Sequence, residues 1–127
     1  MQERHLFEYA VIRVVPRVER EEFLNVGVIL YCARQKFLKV VFVLNEDRLK
    51  AFSVKLDVEE LKDHLNALTH ICSGGKRGGP IAELDLASRF RWLTAMRSTV
   101  IQTSRVHPGF CSDPAAKLVF LLEEQVL

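Results

Sequence analysis

Three apolar runs near the N-terminus follow one another too closely for helices to join them. Phe7–Val15 (FEYAVIRVV), Val26–Cys32 (VGVILYC) and Leu38–Leu44 (LKVVFVL) are rich in β-branched residues and read as strands. Ala33–Lys36 (ARQK) is polar and short enough for a hairpin loop. Strands linked this way build an antiparallel sheet, because parallel neighbours need long crossovers, usually helical. The first run is apolar on both faces. Phe7, Tyr9, Val11 and Val15 share one, and Ala10, Ile12 and Val14 the other. That strand is expected to be central or covered on both sides, and Pro16 ends it.

The period then changes. Glu46–Phe52 is expected to make a short helix. Asp57–Cys72 is a stronger prediction, with Val58, Leu61, Leu65, Leu68 and Cys72 on one stripe. Asp57 is a natural N-cap, Glu60 stands where a capping box needs it, and Ser73-Gly74-Gly75 stops the helix. Ser73–Pro80 (SGGKRGGP) reads as a flexible surface loop. Asp85–Arg97 is expected to be helical, with Leu86, Phe90 and Leu93 inward. Thr99–Val106 reads as a fourth strand, and Pro108-Gly109 as a turn. Asp113 caps a final helix that starts at Pro114 and carries Leu118, Leu121, Leu122 and Val126. The expected architecture is a single α+β domain over residues 1–127: a mainly antiparallel sheet of about four strands packed with about three helices.

At 127 residues the chain can bury a real core without staples. Its apolar share of 49% and charged share of 27% are those of a globular domain. A net charge of +2 does not demand nucleic acid or an acidic membrane as partner. Cys32, Cys72 and Cys111 are odd in number and far apart, with no C-x-x-C pair. They read as buried thiols in a reducing compartment, not a disulfide framework or zinc knuckle. The N-terminus has no apolar signal core, and no apolar run approaches the ~20 residues of a membrane span. A cytoplasmic protein is the expectation.

No motif for catalysis, metal or cofactor emerges. The loop with Lys76 and Arg77 lacks the P-loop order of residues. His5, His64, His70 and His107 form no metal-ligand pattern. Ser104, His107 and Asp113 lie close in sequence, but triads are recognised by geometry and no nucleophile elbow is present. Candidate binding residues lie at two places. Arg17–Tyr31 (RVEREEFLNVGVILY) turns from a charged run into an apolar strand, so Arg17, Glu19, Glu22 and Asn25 could line a polar corner at a sheet end. Asn25 and Gly27 also suit a tight strand entry, since both tolerate unusual backbone angles. Arg13 sits within an apolar strand, where a guanidinium needs an internal partner, a route to water by snorkelling at the sheet edge, or an anionic ligand to clamp. Gln102, Arg105, His107 and Asp113 cluster along QTSRVHPGFCSD. Arg89 and Trp92, three apart, could meet on one helix face.

The strand Tyr9–Pro16 (YAVIRVVP), the segment Glu19-Arg20-Glu21-Glu22-Phe23 and Asn25–Leu30 (NVGVIL) together resemble an uncharacterised bacterial family, domain of unknown function 3037. Phe90, Arg97–Gln102 (RSTVIQ), His107-Pro108-Gly109 and Asp113-Pro114 extend the likeness over nearly the whole chain. The resemblance implies no established activity. Its members are often encoded beside a HipA-like serine/threonine kinase, which implies that kinase as a partner. The family's polar positions fall here on Arg13, Glu19, Arg20, Glu22, Asn25, Gln102, His107 and Asp113.

Two functions compete. The first is a non-catalytic protein-interaction module, with the leucine-rich final helix as a docking or homodimer surface. The second is a nucleic-acid or phosphate-ligand binder that gathers Arg13, Arg17, Arg89, Arg105, His107 and Gln102 in one cleft.

Overall fold

A computed structural model describes residues 3–95 and 99–127. Five strands form one sheet: β1 (His5–Val14), β2 (Leu24–Cys32), β3 (Phe37–Phe42), β4 (Ile101–Thr103) and β5 (His107–Cys111). The α-helices are α1 (Glu46–Phe52), α2 (Val58–Ser73), α3 (Leu86–Leu93) and α4 (Pro114–Gln125). The expected α+β class holds, with one strand and one helix more than the rough count. β1 is central, as its two apolar faces required. β2 pairs along one edge, and β3 follows β2. β4 and β5 share the other edge end to end: Ile12–Val14 faces β4 and His5–Tyr9 faces β5.

The expected fourth strand, Thr99–Val106, is cut short as β4, and a further strand, β5, begins beyond its expected end. Ser104 explains the break between them. Its hydroxyl accepts from the Val11 amide at 2.9 Å and donates to the Arg105 carbonyl at 2.8 Å, while its own amide donates to the Val11 carbonyl at 2.8 Å. One buried side chain thus covers the gap between two short ladders. Pro108 and Gly109 do not turn the chain; they lie within β5, opposite Glu8 and Phe7. Proline is tolerated because β5 is an edge strand. Glycine is required because a Cβ at Gly109 would stand 2.6 Å from the Phe7 ring.

Helices cover both faces. On one, Ile12, Val14, Val26 and Ile29 pack with Leu49 of α1, the Leu61–Leu65–Leu68 stripe of α2 and Phe90 and Leu93 of α3. On the other, Phe7, Val28 and Leu30 pack with Leu118 and Leu121 of α4. Capping follows the sequence. Asp57 accepts from the Glu60 amide at 3.2 Å, Asp85 from Ser88 at 2.7 Å, and Asp113 from Ala115 and Ala116 at 3.1 and 3.3 Å. α3 ends at Leu93, short of the expected Arg97; residues 96–98 lie outside the described residues.

The glycine-rich segment is more built than its composition suggests. It holds two 3-10 turns, Lys76–Gly78 and Pro80–Glu83, and buries Ala82. A Cβ at Gly78 would stand 2.3 Å from that of Ala82 and 2.9 Å from the His70 carbonyl oxygen.

Candidate functional site

The corner after β1 is shaped by a slip in the ladder. Ile12 faces Gly27, but Arg13 faces Asn25, so Val26 is an extra residue in β2. Beyond the bulge the side chains change faces. Val28 packs beneath α4, whereas Val26 joins the larger core on the opposite face. Asn25 is thereby turned to α4, where its amide donates to the Gln125 carbonyl at 3.0 Å. Arg48 of α1 donates to the next carbonyl, Val126, at 3.1 Å. The open carbonyls that end α4 are thus met by two side chains from distant elements. Neither Asn25 nor Gly27 has the positive φ their residue types allow. Gly27 serves a close approach instead, since a Cβ there would lie 2.5 Å from the Val41 carbonyl oxygen.

Between β1 and β2 the chain makes a single 3-10 turn, Val18–Arg20. Glu21 closes it in the left-handed conformation, with φ 56°. The charges of this turn pair with one another. The Glu19 backbone hydrogen bond, together with Arg17, whose Nε meets Glu19 Oε1 at 2.8 Å, holds that carboxyl below its usual range. Arg20 pairs with Glu22. Both pairs are exposed.

Arg13 differs. Its guanidinium carbon lies 3.9 Å from the centroid of the Phe23 ring. Its Nε is buried without an acceptor, and no carboxylate among the described residues pairs with the group. Burial lowers its pKa. Arg13, Val15, Val18, Glu21, Phe23 and Gln102 line a groove of about 350 Å³. The internal ion pair expected as one explanation of Arg13 is not found among the described residues.

The other sequence candidates disperse. Gln102 is the cross-strand neighbour of Arg13, and its amide donates to the Thr99 carbonyl at 2.9 Å. Arg105 is exposed between β4 and β5. His107 packs against Tyr9, its partner in the ladder, with ring centroids 5.3 Å apart. Asp113 is occupied as the α4 cap. Arg89 donates to the Ile71 and Cys72 carbonyls at 3.1 and 3.0 Å, closing the end of α2. Of the proposed arginine cleft, the groove unites Arg13 and Gln102. Ser104, His107 and Asp113, the nearby trio of triad types, each have a separate structural task. Among the described residues no cluster of His, Cys, Asp or Glu could hold a metal. Burial pushes the Cys72 thiol up to about 12, which leaves it a poor nucleophile.

A second surface was only half foreseen. Of the leucine-rich helix, Leu118 and Leu121 are buried, but Val119 and Phe120 face outward. Phe120 meets Phe110 of β5 across an open cleft of about 490 Å³. The two rings are 48% and 59% exposed, unusual for phenylalanine, and Leu6 stands beside Phe110 in the ladder. Two cations border the rings. Lys117 Nζ lies 4.6 Å from the Phe120 centroid and Arg4 lies 5.8 Å from that of Phe110. The unbroken apolar run Leu118–Leu122, more than one helix face needs, points to an outward apolar residue such as Phe120; nothing in the sequence marks Arg4 or Phe110, which meet it only through the β1–β5 pairing.

A family described as "Protein of unknown function (DUF3037)" matches residues 9–126. The chain belongs to this family. No curated protein and no solved structure matches it. Membership adds no chemistry, so the geometry alone carries the functional argument. No helix among the described residues is long and apolar enough to cross a membrane.

Proposed function

We propose that this chain is a non-catalytic protein-interaction module of the bacterial cytoplasm, docking a partner through the face that β5 and α4 form. The observation that carries the reading is the exposed Phe110–Phe120 pair with Leu6 beside it. Contiguous aromatic surface is scarce on monomers, and aromatic residues dominate interface energetics. Arg4 and Lys117 at the border select a partner that places acidic residues around its apolar anchors. The HipA-like kinase implied by the family resemblance is the first partner to test. The corner gives less support to a nucleic-acid binder, because Arg17 and Arg20 are neutralised by Glu19 and Glu22 and Arg89 is spent on a helix end.

The test is affinity capture with tagged chain from native lysate, after nuclease treatment and at high salt, beside a Phe110→Glu/Phe120→Glu variant. A stoichiometric partner retained by the parent and lost by the variant is expected. Nucleic acid released steeply by salt would support the competing function. Self-association lost in the variant would make a second copy the occupant. A partner retained by the variant would remove this face from the argument.

A further inference from the structure

The groove beside Arg13 is separate from the β5–α4 face. Its defining feature is an arginine whose Nε is buried without an acceptor and which forms no ion pair among the described residues. A buried guanidinium nitrogen ordinarily finds an acceptor, since its N–H loses water on burial. Here Phe23 covers one face of the group at 3.9 Å. Stacking of that kind leaves the in-plane N–H donors able to bond, and fixes the plane in which they do so.

The surroundings narrow what could bond there. Val15, Val18 and Phe23 give the groove apolar walls, and Val18 and Phe23 are themselves exposed. Gln102 adds an amide beside Arg13. From Arg13 to Phe23 the chain carries Arg13, Arg17 and Arg20 against Glu19, Glu21 and Glu22, a balanced set. Glu21 lines the groove itself, held there by its left-handed backbone. So balanced a rim offers no excess of positive charge to a polyphosphate or extended nucleic acid, and leaves Arg13 to meet a single negative charge. An isolated planar fork beside apolar walls matches a carboxylate on an apolar body.

We propose that the Arg13 groove is a recognition site for an acidic side chain flanked by apolar residues in a partner polypeptide. The carboxylate accepts from the Arg13 fork, and the flanking apolar group packs on Phe23 and Val18. The site rests on the interaction-module reading only for what carries the carboxylate, and a small probe tests it without any partner.

The probe is 3-phenylpropionate, titrated into the full chain with NMR detection of backbone amides and arginine Nε–H groups. Its neutral amide and inorganic phosphate are titrated in parallel. The expected result is saturable shifts at Arg13 Nε–H, Gln102 and residues 18–23, with the amide weaker by about tenfold or more, as loss of one charge-assisted contact implies. Arg13→Met should remove the response. Phe23→Leu, which keeps an apolar side chain and loses the ring, should weaken it several-fold and serves if Arg13→Met does not fold. Equal binding of acid and amide, stronger binding of phosphate, no saturable shift, or a response unchanged in both variants would each overturn the proposal. The interaction-module reading would survive any of these, because its own test turns on Phe110 and Phe120.

Discussion

Arg13 and Arg89 are both half-buried, and each keeps a buried Nε without an acceptor among the described residues. Arg89 is nevertheless anchored. Its Nη1 bonds two carbonyls at the end of α2, where the helix dipole also favours a cation. Arg13 has only a ring beneath it and a groove beside it. The difference lies in which backbone the surroundings supply. A helix end offers unmet carbonyls, whereas a strand interior has already committed its carbonyls to the ladder. An arginine in a strand is therefore left for something outside the domain more readily than one beside a helix end.

The strongest way to break this comparison is Arg89→Met. It should lower stability by about 1.5–3 kcal/mol in denaturant unfolding, the range for hydrogen bonds to charged groups. A loss near zero would mean water replaces the guanidinium at α2. Ser104→Ala is the neutral counterpart, a buried polar group with its partners in place. It should cost about 1–3 kcal/mol, because the Val11 amide is left without its acceptor. Arg13→Met should cost only about 0.5–1 kcal/mol, the worth of a partly exposed cation–π contact. A loss matching that of Arg89→Met would make Arg13 a structural residue too. Arg17→Gln, at an exposed ion pair, should leave the melting temperature unchanged within error.

The pH response sharpens the same contrast. Burial raises the Cys72 thiol from its ordinary 9.0 to about 12, and Arg89 pulls it back slightly. The folded chain holds this proton after the unfolded chain has lost it. The associated stability is complete below pH 9 and drains away as pH rises toward 12. Cys72→Val should flatten that alkaline loss, whereas Arg89→Met, which removes a charge that lowers the thiol, should leave the slope up to pH 11 as it is, since one proton already sets it. Equilibrium unfolding at pH 8, 10 and 11 checks both; a slope in Cys72→Val identical to the parent's would contradict the assignment.

The helices were legible because each carries its own signals. Asp57 and Asp113 are caps in the sequence and in the structure, and Asp85, the expected helix start, also caps. β1, β2 and β3 were legible for the same local reason. What could not be read depends on contacts between distant residues. The bulge at Val26 turns Asn25 toward α4, and the carbonyl it meets belongs to Gln125. Pro108-Gly109 has the composition of a turn, but Phe7 lying over the glycine makes it strand. The glycine-rich segment reads as slack because composition does not reveal that Gly78 abuts Ala82 and His70. Arg13 was recognisable as unusual from its neighbours alone; whether it had a partner was not.

β1 has a consequence for the order in which the domain can form. Its first neighbour, β2, follows directly in the chain, but β4 and β5 come near the other end, so that Tyr9 pairs with both Leu30 and His107. A chain emerging from the ribosome completes the β1–β2–β3 meander long before β5 exists. Until then the second edge of β1 stands open with Phe7, Tyr9 and Val11 along it. Open apolar edges invite pairing with other chains, and closing one across such a sequence separation is slow. The nascent domain is thus most exposed to aggregation in the interval before its last two strands arrive.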